Sequence, residues 1–330
     1  MTGSSASTPI RATQPDDFAA AVDGYRRDVV LLCYRFLGSL SDAEEAAQET
    51  ALRAWRARAT FRGDATLRTW LHRIATRVCL DLLRQRRARV LPVSIGAAGD
   101  PDRPPDPPST EIAWLEPIPD EFLVGSTHDP AARYDLRESV ALAFIAALQV
   151  LPPRQRAVVL LRDVLGWTAR EAADALDMSV PAANSAIHRA RTSLRETHHR
   201  TGREAVNTTG PTDQTSRRLL EAYVAAWQAD DVDGLVAVMR RDVKLAMPPS
   251  TTWHAGRADV ATALRRWIFG ALRPATGYWV RSTSANGQPA ALFGDRAEPD
   301  RALGIQVLDV DGGRIVGITV FLDERIASRF

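Results

Sequence analysis

The sequence predicts a multidomain chain in which two all-α helical domains, joined by a Pro-rich linker, are followed by an α+β domain. Three observations predict it. Apolar residues recur at helical spacing through 16–90 and again through 131–200, and prolines crowd the segment between them, 91–130. After a short polar linker at 201–214, the segment 215–330 opens with helical patterns and ends in alternating ones. At 330 residues there is room for two or three cores.

Composition narrows the class. No apolar run approaches the length needed to span a bilayer, and MTGSSASTPIRATQPDDF lacks the basic-then-apolar pattern of a signal peptide, so a cytoplasmic protein is expected. Cys33 and Cys79 lie inside helical patterns without CxxC spacing, which reads as buried free thiols rather than a disulfide or zinc site; no metal or cofactor is implied. Eleven arginines fall between Arg53 and Arg89, opposed only by Asp64 and Asp81, a footprint suited to a polyanion. Lys244 is the only lysine in this arginine-rich chain, so position on a helix face says more than number.

In the first segment, VVLLCYRFLGS reads as an apolar helix ending near Gly38, and SDAEEAAQETALRAWRA as a second. Ser41 and Glu44 are spaced as a capping box, and the acidic first turn suits the helix dipole. A third helix, TWLHRIATRVCLDLLRQRR, carries Leu71, Ile74, Ala75, Val78 and Leu82 on one stripe. Arg73, Arg77, Arg84 and Arg87 fall on the other side. One face packs while the other meets something anionic.

The proline-rich segment denies regular structure, yet WLEPIPDEFL within it keeps Trp114, Leu115, Ile118 and Phe122, more apolar than an idle spacer requires, and so reads as a docking segment. In the third segment SVALAFIAALQVL stops before Pro152, and RQRAVVLLRDVL runs on to Gly166. Thr168 and Glu171 form a second capping box, and Ser179 with Pro181 starts the next helix after the turn DMS. The last segment holds RRLLEAYVAAWQADDVDGLVAVM and GRADVATALRRWIF as helical stretches. YWVRSTSA, PAALFG, ALGIQVLDV and RIVGITVFL follow as an antiparallel meander, with Asp311-Gly312-Gly313 turning the final hairpin.

The stretch from Gly166 to Glu196 has the shape of a helix-turn-helix. Ala183, Ile187, Ala190 and Leu194 share its packing stripe. Pro181, Ser185, His188 and Thr192 project opposite, flanked by Asn184, Arg189 and Arg191, and could reach base edges and phosphates from a major groove. Phe61 and Trp70 bracket Arg62, Asp64, Thr66 and Arg68, which supplies aromatics to stack unpaired bases and cations for a displaced strand. Phe61 and Trp70 as plain core aromatics is the alternative.

Taken in order, these motifs resemble the extracytoplasmic-function (ECF) sigma factors of bacterial RNA polymerase. DAEEAAQETALRAW resembles the polymerase-binding part of sigma region 2, which implies Asp42, Glu45, Gln48 and Glu49 for the β′ clamp of core RNA polymerase. FRGDATLRTWLHRIATRVCLDLLRQRR resembles the part that melts and reads the −10 element, which implies Phe61, Arg62, Asp64, Arg68, Trp70, Arg73, Arg77 and Arg84 for promoter DNA. LPPRQRAVVLLRDVLGWTAREAADALDMS with SAIHRARTSL resembles region 4, which reads the −35 element; Pro181, Asn184, Ser185, His188, Arg189 and Arg191 are its candidates. Asn184 and Ala186 stand where this class often has basic residues, which implies fewer phosphate contacts. The linker can span the promoter: ~40 extended residues reach roughly 130 Å, against roughly 58 Å for ~17 base pairs.

MPPSTTWHAGRADVATAL and DGGR resemble the SnoaL-like, NTF2-like cone found appended to one actinobacterial sigma group. That resemblance implies a built-in regulator in place of a separate anti-sigma factor, acting through Trp114 and Pro117 in the linker and Asp311, Gly312, Gly313 and Arg314 in the hairpin. A small molecule in the cone is a candidate partner, with Trp253, His254 and Tyr278 as candidate pocket residues. For acid–base work His254, Asp259, Tyr278 and Asp309 are available, but fold alone does not imply catalysis, and no enzyme is expected. Two alternatives stay open on the residues: a DNA-binding regulator fused to an isomerase or cyclase of the cone fold, and a response regulator, which the first segment does not suit.

Overall fold

A computed structural model describes residues 15–123, 136–201 and 214–330. The chain divides into two compact units, Met1–Arg86 with Pro152–Arg191, and Arg87–Leu151 with Thr192–Phe330. Most of the linker expected at 201–214, and residues 124–135 where the proline-rich segment meets the third, lie outside the described residues.

In the first unit α1 (Pro15–Asp23), α2 (Arg26–Leu37), α3 (Leu40–Arg56) and α4 (Leu67–Gln85) pack together. Every residue of α2 from Val29 to Leu37 is buried, so this helix is the centre of the core rather than a one-sided stripe. Gly38 ends it in the left-handed conformation, its N–H bonded to the Tyr34 carbonyl at 2.7 Å. The expected Ser41–Glu44 box is not formed. With Gly38 closing α2 so sharply and Ser39 extended, α3 starts earlier: Ser39 is the N-cap and accepts from Asp42 N at 3.3 Å, while Ser41 bonds the Ser39 hydroxyl at 3.0 Å. Thr66 caps α4 in the same manner.

The buried face of α4 is wider than the predicted stripe. Leu71, Ala75 and Val78 are buried as expected, but so are His72, Thr76 and Cys79, while Ile74 and Leu82 are half-buried. The helix Pro153–Val159 packs against α4 as a further wall, which single-helix periodicity cannot anticipate. Cys33 and Cys79 are free and buried. Pro153–Val159 runs on through a π-turn at Leu160–Val164, turns at Gly166 with φ of 70°, and continues into Ala169–Ala175 and Val180–Thr201. Here the Thr168–Glu171 capping box is present in both directions.

The second unit is built on one six-stranded sheet in the order β2-β1-β6-β5-β4-β3. β3 (Tyr278–Ala285), β4 (Gln288–Asp295), β5 (Gly304–Asp311) and β6 (Arg314–Phe321) form the expected meander. Two strands were not expected. β1 (Met239–Ala246) and β2 (Trp253–Ala255) extend the sheet, and β1 pairs with β6 in parallel, so the sheet is mixed rather than antiparallel throughout. The helical stretch predicted to reach Met239 breaks at Asp230, φ 53°: Gln214–Gln228 is one helix, and Val232–Ala237, capped by Asp231, is another. Tyr223 and Trp227 of the longer helix pack on Val243, Leu245, Phe293 and Ile318 of the sheet. Among the described residues no helix is long and apolar enough to cross a membrane.

Candidate functional site

Three surfaces of the first unit carry the candidate residues. On α3, Asp42 and Glu45 clasp Arg86 at 2.5 and 2.8 Å, and Glu49 holds Arg53 at 2.7 Å; the amide of Gln48 is exposed beside them. The acidic face is therefore half neutralised by the chain's own arginines. Sequence reading missed what lies along the same side. Leu52 and Trp55, spaced with Gln48 at i, i+4 and i+7, are exposed at 52% and 36%. A depression of about 350 Å³ next to them is lined by Phe18, Gln48, Ala51, Trp55 and Leu71. Apolar residues breaking a polar helix face at that spacing were the available signal.

Between α3 and α4 the loop keeps Arg62 and Asp64 exposed. Phe61 and Trp70 are not independent: their rings lie 5.3 Å apart, and Trp70 also meets Phe18 edge-on at 6.2 Å, leaving both half-buried. Arg68 is tied to Asp28 at 2.6 Å. Along α4, Arg84 pairs with Asp81 at 2.5 Å, Arg77 with Asp177 at 3.3 Å, and Arg73 stands over the Trp167 ring at 5.9 Å. Asp177 and Trp167 belong to the helix-turn-helix, so in this unit two of the α4 arginines face it. Deeper in, Arg156 is buried and donates to the Phe36 carbonyl near the C-terminus of α2, its pKa lowered to about 10 by loss of solvent.

On Val180–Thr201 the residues Ala183, Ile187 and Ala190 are buried, while Pro181, Asn184, Ser185, His188 and Arg189 are exposed together on the outer side. Arg191 is drawn to Asp163 at 2.6 Å. Ala186 is buried in the packing face, so a basic residue there would have no phosphate to meet. Asn184, by contrast, is exposed.

In the second unit the linker is a structural part of the domain. Ile118 N donates to Asn286 Oδ1 at 3.0 Å, Asn286 N to the Ile118 carbonyl at 2.9 Å, and Gly287 N to Asp120 Oδ1 at 2.7 Å. Trp114 pairs as a short bridge with Val90 and donates to the Ser109 carbonyl at 3.0 Å, and Pro117 is buried. Among the described residues the polar contacts of the hairpin Asp311–Arg314 with Arg240 and Ala237 stay within the sheet domain. Gly312 and Gly313 form its turn at φ 54° and 71°, Asp311 pairs with Arg240 at 2.5 Å, and Arg314 donates to the Ala237 carbonyl at 2.9 Å. The linker instead docks on the β3–β4 turn, whose local signal is the pair Asn286-Gly287.

A cavity of about 480 Å³ lies inside this domain. Of the three pocket candidates only Tyr278 lines it. Trp253 donates to the Gly96 carbonyl at 3.0 Å, and His254 is buried with Nδ1 facing the Gly99 carbonyl at 3.3 Å, so both serve the linker. Burial lowers the pKa of His254. Asp259 is exposed, and Asp309 accepts from Gln288 at 2.6 Å; neither reaches the cavity.

Family models match in the same order along the chain: Sigma-70 region 2 over residues 21–89, Sigma-70 region 4 over 141–194, and a SnoaL-like domain over 220–318. The ECF RNA polymerase sigma factor SigG of Mycobacterium tuberculosis is 41% identical over 321 residues, covering 95% of this chain and 83% of the relative. The chain belongs to the ECF RNA polymerase sigma factor family. The sigma factor also resembles the probable ECF sigma factor SigI of Mycobacterium tuberculosis, at 28% identity over 94% of each chain. The crystal structure of Mycobacterium tuberculosis SigJ shares its fold at a TM-score of 0.58 and 21% identity, covering 96% of this chain and 99% of that one. As a member of this family the sigma factor binds core RNA polymerase and promoter DNA and directs transcription initiation. Relatives matching over nearly the whole length are sigma factors and not enzymes, which decides against the regulator fused to a cyclase.

Proposed function

We propose that the appended domain is the sigma factor's own regulator, filling the role of a separate anti-sigma factor, and that it acts through the linker. The observation that carries this is the docking of WLEPIPDEFL on the β3–β4 turn, which ties the chain segment between regions 2 and 4 to the appended domain. The polymerase's β′ clamp takes the α3 face with Gln48, Leu52 and Trp55; Phe61, Arg62 and the α4 arginines serve the −10 element, and the outer face of Val180–Thr201 the −35 element. In this reading Arg73 and Arg77 leave Trp167 and Asp177 before they meet DNA. The exposed Arg77–Asp177 pair is worth at most ~1 kcal/mol, so it opens readily. The work is cytoplasmic, where the polymerase is.

Run-off transcription with purified core polymerase, comparing the full chain with one ending at Gly202, tests the regulatory role. A change in output or promoter choice is expected. Identical transcripts in identical amounts would remove it.

A further inference from the structure

The match to region 4 begins at residue 141, and the first helix in it is Leu142–Val150. That region is divided between the two units: Leu142–Val150 belongs with the sheet, and Pro152–Arg191 belongs with the other. The helix, LAFIAALQV, has almost no side to give to water. Its one polar residue, Gln149, turns back to the Ile145 carbonyl at 3.3 Å, and Val140, Ile145 and Leu148 are wholly buried. Ala141 stands at the N-cap and has no side-chain oxygen for the free N–H groups of the first turn.

The missing acceptor comes from the sheet. Leu142 N donates to Gln288 Oε1 at 2.8 Å, and two residues earlier the Val140 carbonyl accepts from Asn286 Nδ2 at 2.6 Å, both in buried surroundings. The register that pairs Ala290 with Val307 sets Gln288 of β4 across from Asp309 of β5. Strand alternation turns both away from Ala291, Phe293, Leu308 and Val310, which belong to the core around the cavity. Gln288 Nε2 donates to Asp309 Oδ1 at 2.6 Å and to the Leu308 carbonyl at 3.2 Å. With two acceptors on that side the amide has one orientation, and its oxygen faces Leu142.

We propose that the outer face of the sheet is a docking surface for the N-terminal end of an apolar helix, that its occupant is the first helix of region 4, and that Gln288 and Asn286 grip it. Asp309 is the positioning residue that orients Gln288. The fit is narrow, because a helix bringing no N–H to Gln288 Oε1 would leave a buried acceptor unsatisfied. As a control on promoter reading this rests on the appended domain regulating the sigma factor; the grip itself does not. The docked helix holds one end of region 4 to the sheet, so sheet and −35 DNA compete for that region, and each weakens the other by the same factor.

The full chain is tested by amide exchange and by binding to a −35 duplex. Gln288→Met keeps the side-chain length and removes its hydrogen bonds. Leu142→Pro removes the N–H from the other partner at the first helical position, where proline is accepted, and Ala141 already has the ψ of 136° that suits a following proline. Each should speed exchange at the Ile145 amide, which bonds the Ala141 carbonyl at 3.0 Å, roughly five- to ten-fold while the sheet keeps its protection. Together they should do little more than either alone. Asp309→Leu should act in the same direction and add nothing to Gln288→Met, whereas Asp309→Asn, which keeps an acceptor oxygen, should leave exchange as it was. Gln288→Met should also tighten the −35 duplex about five-fold. Unaltered exchange at Ile145 in Gln288→Met, or additive effects of Gln288→Met and Leu142→Pro, overturns the grip; a released helix with unaltered −35 affinity overturns the competition. If the exchange results hold but truncation at Gly202 leaves transcription unchanged, the regulatory reading falls and the docking surface stands. Altered transcription on truncation, with exchange at Ile145 unmoved, removes the docking surface alone.

Discussion

His72 shows how much a single side chain depends on where it is placed. On α4 it is buried, and desolvation, aided by Arg68, lowers its pKa to about 4 from an ordinary value of about 6.5. The unfolded chain therefore binds the proton more readily, and stability falls as the solution is acidified from pH 6.5 toward 4 and is fully present above that window. The loss at the acid end is roughly 3 kcal/mol, and His72→Leu should flatten it. Urea denaturation of both proteins across that range is the check; parallel curves would contradict it. Sequence pattern placed His72 next to the packing stripe without marking it as buried. The same limit applies to Arg156, one arginine among many in a chain with a single lysine, yet the one set under the last turn of α2. Burial of a cation is decided by neighbours distant in sequence.

Elements were read better than residues where their signal is local. The Thr168–Glu171 box, the left-handed Gly38, the Asp311–Arg314 hairpin and the four meander strands all follow from short-range rules. β1 is not legible in the sequence because VAVMRRDVKLA carries apolar residues at spacings that fit a helix and a strand alike, and parallel pairing with β6 has no local mark. On Val180–Thr201 the period of the helix told the outer face from the inner, with Ala186 the exception. Arg189 is exposed on that outer face. Arg189→Ala should weaken binding to −35 duplexes of differing sequence alike and reduce the slope of log affinity against log salt by about one. A loss confined to one promoter sequence, with the salt slope intact, would instead make Arg189 a base reader.

Over the whole molecule, the linker is the component whose role changed most. Proline density predicts a chain without regular structure, and that is what 91–123 is, apart from short 3₁₀ turns. Its hydrogen bonds nevertheless go to the sheet domain at Asn286, Gly287, Thr252 and Pro249. Asn286 is the centre of this. Its Oδ1 accepts from Ile118 N, its Nδ2 donates to the Val140 carbonyl at 2.6 Å, and its own φ is 57°. Asn286→Gly keeps the turn conformation and removes only the side-chain bridges. The Ile118 amide should then exchange at least several-fold faster while β3 and β4 keep their protection. If Ile118 stays as protected as before, docking does not depend on Asn286.

The sequence by itself determined the order of the segments, the Thr168 and Ser179 caps, the meander and the family, because each is written in short-range spacing or in motif order. Only the tertiary structure decided which arginines are paired, that Trp253 and His254 hold the linker rather than a ligand, and that proline residues roof the cavity. Those facts arise from contacts between residues up to about 170 positions apart, such as Gly287 with Asp120 and Trp253 with Gly96. Spacing along a chain records the period of an element and its ends. It does not record which distant group will take the last hydrogen bond.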